Sequence, residues 1–107
     1  MTKIDISANP FQEMVIPFEN ENITLTLNFR DDFWFMGLAY KNKKVNGIRL
    51  ASGVLLLSGK NFPFEVVIND NANSLDPFAL DNFESGLFEF LILNRAELES
   101  VRGYAVE

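Results

Sequence analysis

The alternation Ile23-Thr24-Leu25-Thr26-Leu27-Asn28-Phe29-Arg30 constrains this chain more than any other feature. Apolar side chains at one parity and polar ones at the other have the period of a strand buried on one side. Such a strand needs neighbours to satisfy its backbone and a second layer to cover its apolar face. The rest of the chain supplies both. Phe11–Phe18 sets Met14, Ile16 and Phe18 on one side, and Pro10 and Pro17 confine that segment to a sheet edge or to bulged ends. Turns at Glu19–Asn22 and at Asp31-Asp32 flank the alternating strand.

Phe33–Tyr40 follows with apolar residues on both faces: Trp34, Met36, Leu38 and Tyr40 oppose Phe33, Phe35 and Ala39. A strand of that kind is either central, with cover on each side, or turned toward a partner. Gly37 within it marks a bulge or a close backbone approach. A polar tip, Lys41–Lys44, leads into a further strand from Val45 to Leu50. Val54–Leu57, between glycine-containing turns, reads as a short strand, and Phe62–Ile68 as another with Phe62, Phe64, Val66 and Ile68 on one face. Leu87–Leu93 is apolar on nearly both faces and is expected to be central. Between the last two, Asn69–Asp76 is a loop, and Pro77–Glu84 fits one or two helical turns with Asp76 as N-cap. Arg95–Glu99 fits a short helix or turn, and Val101, Tyr104 and Val106 an edge strand or a trailing end. The pattern predicts a single all-β domain over residues 1–107. Its form is a small barrel or sandwich of about seven mostly antiparallel strands, with one or two short helical turns near the C-terminus.

The residues absent from the chain bound its chemistry. It has no cysteine and no histidine, so disulfides, thiolate chemistry, the Ser-His-Asp triad, Cys-His pairs and Cys or His metal sites are all excluded. No metal or cofactor is expected. Carboxylates alone suffice for some hydrolases, but Glu13, Glu19, Asp31 and Glu65 fall in turns or on the polar side of strands, where solvated carboxylates belong. Glu89 stands out between Phe88 and Phe90, and an ion pair with Arg49 or Arg95 is the expected reason. Asp70, Ser74 and Asp76 lack the central glycine and closing glutamate of a calcium loop. The glycines at 47, 53, 59 and 86 are too widely spaced to cradle a phosphate.

Charge is distributed unevenly. The net value is −6, yet residues 41–60 carry Lys41, Lys43, Lys44, Arg49 and Lys60 with no acid among them. Overall acidity opposes nucleic-acid binding. Apolar runs of only a few residues exclude a spanning helix. The opening MTKIDISANP has no apolar core of a signal peptide, so synthesis and residence in a cytoplasm-like compartment are expected. The basic segment is either the solvated tip of a hairpin or half of a complementary docking surface. Together with the apolar surplus it defines a candidate interface: Trp34, Met36, Tyr40, Lys41, Lys43, Lys44 and Arg49. Two rival functions remain open. A small ligand- or oligosaccharide-binding module would use an exposed aromatic strip including Trp34 or Tyr40, and a carboxylate-only hydrolase would need two acids facing across a cleft.

Several segments occur in a telling order: Asn9-Pro10-Phe11-Gln12, a strand ending near Phe18, the Ile23–Phe29 alternation and Phe33-Trp34-Phe35-Met36. Gly47-Ile48-Arg49-Leu50 and Gly53-Val54-Leu55-Leu56 follow, with Asp76-Pro77-Phe78 and Phe88-Glu89-Phe90-Leu91 after them. In this order the chain resembles the small plug-type proteins of contractile-tailed bacteriophage baseplates. The resemblance implies a non-enzymatic virion component, made in the host cytoplasm and placed in the tail. It would contact hub, spike or tube proteins, or further copies of itself, and help close the channel until contraction. It carries no catalytic residues. It implies Trp34 as a packing anchor, Gly47 and Gly53 as backbone-shape residues, and Leu55 and Leu56 as core.

Overall fold

A computed structural model of the chain describes residues 2–71 and 76–97. Seven strands occur in chain order: β1 (Thr2–Ile4), β2 (Phe11–Phe18), β3 (Glu21–Arg30), β4 (Phe33–Tyr40), β5 (Lys43–Arg49), β6 (Glu65–Asp70) and β7 (Phe88–Leu93). They form two sheets, β1-β7-β6 and β2-β3-β4-β5, antiparallel throughout. Among the described residues no named strand of one sheet pairs with one of the other, so the sandwich, rather than the barrel, is the architecture.

The four-stranded sheet is a meander built by local chemistry. Glu19-Asn20 and Asp31-Asp32 make two-residue turns with both residues left-handed, at φ of 46° and 66° and of 52° and 65°. Such turns match the twist of the strands they join. The first fixes Phe18 opposite Glu21 and hence the register of β2 on β3. Between β4 and β5 the register slips: Asn46 and Gly47 together oppose Gly37. Gly47 takes φ of +69°, and the Asn46 side chain occupies the space where a Cβ on Gly37 would sit, 2.8 Å from its Oδ1.

Parity decides the core. Ile23, Leu25 and Leu27 from β3 face Trp34, Met36, Leu38 and Tyr40 across the ladder, all of them buried. Val66, Ile68, Phe88, Phe90 and Ile92 come from the other sheet to meet them. Aromatic rings close both ends of the sandwich. Phe29, Trp34 and Phe83 stack at one end with centroids 5.3 and 5.5 Å apart, and Phe18, Tyr40 and Phe64 at the other, at 5.1–6.1 Å.

Several expectations change. The short strand expected at Val54–Leu57 is a series of turns. Its amides still serve the sheet: Gly53 N–H donates to the Ile68 carbonyl and Leu56 N–H to that of Val66, so the segment covers the free edge of β6 without extending as a ladder. Leu57 is the core residue there, at 3% exposure, while Leu55 and Leu56 are half-buried. The seventh strand is instead β1, which pairs with β7 and makes it central, as expected for the Leu87–Leu93 segment.

Pro77–Glu84 is turns rather than helix. Asp76 is no N-cap: its carboxylate accepts from the Ser52 amide at 2.9 Å and pairs with Arg49 at 3.1 Å. Asn82 holds the turn instead, its Oδ1 accepting from the amides of Phe78 and Ala79. Helical structure opens at 95–97, where Asn94 and Glu97 bond reciprocally through side chain and amide, both at 2.9 Å. Ser74 and the segment with Val101, Tyr104 and Val106 lie outside the described residues.

Candidate docking surface

β4 presents one face to the core and the other to the outside of the four-stranded sheet. Trp34, Met36 and Tyr40 fall inside, at 0, 1 and 6% exposure, so the aromatic part of the expected interface is core. The same burial removes the aromatic strip on which a ligand-binding module would rest. What reaches the outer face from β4 is Phe33, Phe35, Gly37 and Ala39. Its two rings are covered by cations: the Arg30 guanidinium stands 4.4 Å from the Phe35 centroid and that of Arg49 4.5 Å from Phe33. This is how a strand apolar on both faces is satisfied without a third layer.

The register lays Phe11, Asn28, Phe35 and Arg49 in one row across the outer face. Beside that row a depression of about 270 Å³ forms over Gly37, lined by Phe11, Asn28, Arg30, Phe35, Lys44 and Asn46 among others. Lys44 therefore belongs to this face. Lys41 and Lys43 lie at the β4–β5 tip, where they share a second recess with Tyr40, Asn42 and Pro63. Lys43 donates to the Asn61 carbonyl and stands 5.8 Å from the Phe62 ring, and Lys41 stands 5.6 Å from Tyr40. All four basic residues of the expected interface remain exposed, although Lys43 and Arg49 already have partners within the chain.

The most exposed large apolar side chains lie elsewhere. Phe11 and Val15, on the outer parity of β2, are 64% and 60% exposed. The sequence held the signal for them: if Met14, Ile16 and Phe18 face inward, Phe11, Glu13, Val15 and Pro17 must face outward.

Two carboxylates differ from expectation. Glu65 is not solvated but buried at 2% exposure, its Oε1 accepting from the amides of Leu57 at 2.5 Å and Val66 at 2.9 Å. Glu89 pairs neither with Arg49 nor with Arg95. Its partners are the Asn69 amide at 2.8 Å and Lys3 at 3.8 Å, the latter delivered by β1. Hydrogen bonds from Asn69 and then Asn71 hold the half-buried Glu89 carboxyl below its ordinary value of 4.5; Lys3 adds less, and desolvation opposes them. A folded-state value below the unfolded one stabilises the fold at pH above 4.5, and that contribution fades as pH falls through the lowered value. Glu89→Gln is accordingly expected to be less stable than the parent at neutral pH, with the gap closing in acid. Urea titrations at stepped pH would check this, and a gap constant with pH would refute it.

Asp5, Glu84 and Glu89 line a groove of about 460 Å³ between the N-terminal arm and residues 83–90. Glu84 accepts from the Ala8 amide at 2.9 Å, and Glu89 is held ionised, the opposite of the raised value a general acid requires. Among the described residues no three side chains of metal-ligating type gather.

Comparison with curated proteins gives no match. The family model described as Pam3_gp18, cyanophage baseplate Pam3 plug gp18, matches residues 1–95, a span that contains all seven strands. The chain belongs to this family of phage baseplate plugs, structural components of the virion tail.

Proposed function

We propose that this chain acts as a plug that performs no chemistry and holds its place in the baseplate by surface complementarity alone. The observation that carries the proposal is the family match over residues 1–95, which contains every strand among the described residues. The absence of histidine and cysteine from the sequence and the structural use of Glu65 and Glu89 support the same reading. Its partners are hub, spike or tube proteins, or further copies of itself, met through the outer face of the four-stranded sheet and its basic residues Lys41, Lys43, Lys44 and Arg49. Residues 1–107 act as one folding unit in this role.

Co-expression with the products of neighbouring tail genes, followed by size-exclusion chromatography with light scattering, tests the proposal. A complex of defined stoichiometry is expected. Lys41→Glu with Lys44→Glu is expected to weaken that complex at least tenfold while leaving thermal unfolding unchanged. A chain that stays monomeric and binds none of these products overturns the proposal.

A further inference from the structure

The four-stranded sheet ends on one side at β2. Which of its backbone groups point away from β3 follows from one bond. Phe29 N–H donates to the Pro10 carbonyl at 2.7 Å, and the register pairs Phe11 with Asn28, so Pro10 and Phe29 form a hydrogen-bonded pair. In an antiparallel ladder such pairs alternate with non-bonded ones. Gln12, Met14, Ile16 and Phe18 therefore spend their amides and carbonyls on β3, the last of them closing the two-residue turn. Phe11, Glu13 and Val15 direct theirs outward, and Pro17 directs a carbonyl alone. The free edge is thus three residues long and ends at a residue with no donor.

The side chains of those same positions are the outward ones. Phe11 and Val15 are the most exposed large apolar residues among those described, and Glu13 lies between them, 3.5 Å from the Thr26 hydroxyl. Natural sheets usually blunt such edges. The opposite sheet does so here, with residues 53–56 against β6. β2 carries no such cover among the described residues.

We propose that the β2 edge accepts an extended segment of another protein as a fifth strand, one with a lysine or arginine opposite Glu13 and apolar residues two places to either side. Backbone bonds to Phe11, Glu13 and Val15 supply the pairing, and side-chain chemistry selects the partner. Charge decides between this occupant and a second copy of the chain. Antiparallel self-pairing with the greatest overlap sets Phe11 against Val15 of the other copy but Glu13 against its own counterpart, a like-charge pair that opposes the dimer. A basic residue in that place turns the repulsion into a cross-strand ion pair. The inference does not rest on the baseplate reading, and its failure would leave that reading untouched.

The probe is a capped peptide Thr-Val-Thr-Lys-Thr-Val-Thr, compared with the same peptide carrying Glu at its centre, each titrated into the full chain. The lysine peptide at millimolar concentration is expected to slow amide exchange at Phe11, Glu13 and Val15 at least tenfold, leaving Gln12, Met14 and Ile16 as they were. The glutamate peptide is expected to bind at least tenfold more weakly, and Glu13→Lys to reverse that order. Val15→Pro, which removes one outward donor at the parity where Pro17 already stands, is expected to abolish binding. Exchange at the three amides unmoved by the lysine peptide overturns the inference, as does equal binding of both peptides. Protection that rises with protein concentration in the absence of peptide also overturns it, in favour of a second copy.

Discussion

Trp34→Ala is expected to cost about 3–5 kcal/mol of unfolding free energy, the range for large aromatic truncations in packed cores. Trp34 is fully buried and joins three parts of the molecule. Its ring meets Phe29 of the neighbouring strand and Phe83 of the segment before β7, and its indole N–H donates to the Ala79 carbonyl at 3.1 Å. Truncation opens a cavity between the sheets and leaves that carbonyl without its donor. Against a total stability on the order of 5–15 kcal/mol, the loss is a large share of the whole. Trp34→Phe separates the two effects: it retains the ring contacts and is expected to lose about 1–3 kcal/mol, mainly for the unsatisfied carbonyl. Because Trp34 is the chain's sole tryptophan, unfolding of these variants must be followed by circular dichroism rather than tryptophan emission. An alanine variant within about 1 kcal/mol of the parent would contradict this packing, since it is well below the cost of a buried aromatic truncation.

The sequence makes β3 and its neighbours legible because a strict two-residue period and a polar turn are local features. β4 is harder. Both its faces are apolar, and nothing in Phe33–Tyr40 alone says which goes inside; the inward choice follows from pairing Trp34 with Phe29 and Leu38 with Leu25, residues already committed to the core. Its outer rings then find cover from Arg30 and Arg49, an arrangement visible only once the rows are in register. β1 is too short to announce itself, and that omission explains a second one. Without β1 beside β7, Lys3 is not a neighbour of Glu89, and Arg49 and Arg95 look like better partners than they are. The basic segment was legible as a surface feature because charge needs no tertiary information to be read. The exposed edge at Phe11 and Val15 was implied by the parity of Met14, Ile16 and Phe18, and the open row of amides follows only from the sheet order.

Glu65 shows the opposite limit, and its removal carries the other large effect. By local pattern it is an outward, solvated residue of a strand whose alternate positions are apolar. In the fold, residues 53–57 pass over the edge of β6 and enclose it, and its carboxylate fixes them by accepting the Leu57 amide. Glu65→Ala is expected to cost about 2–4 kcal/mol, since a buried donor left unsatisfied forfeits about 1–3 kcal/mol and two amides share this acceptor. Glu65→Gln keeps an acceptor oxygen in place without the charge, so it is expected to lose less than the alanine variant. Local opening should accompany the global loss. Amide exchange at Gly53, Leu56 and Leu57 is expected to quicken in Glu65→Ala while the β3–β4 ladder is slowed or hastened only with global stability. The uncovered β6 edge would then be free to pair with other chains, so the alanine variant should also aggregate at lower concentration than the glutamine variant. If alanine and glutamine cost the same, the charge rather than the acceptor holds the segment; if neither costs anything, the edge of β6 is closed by backbone pairing at Gly53 and Leu56 alone.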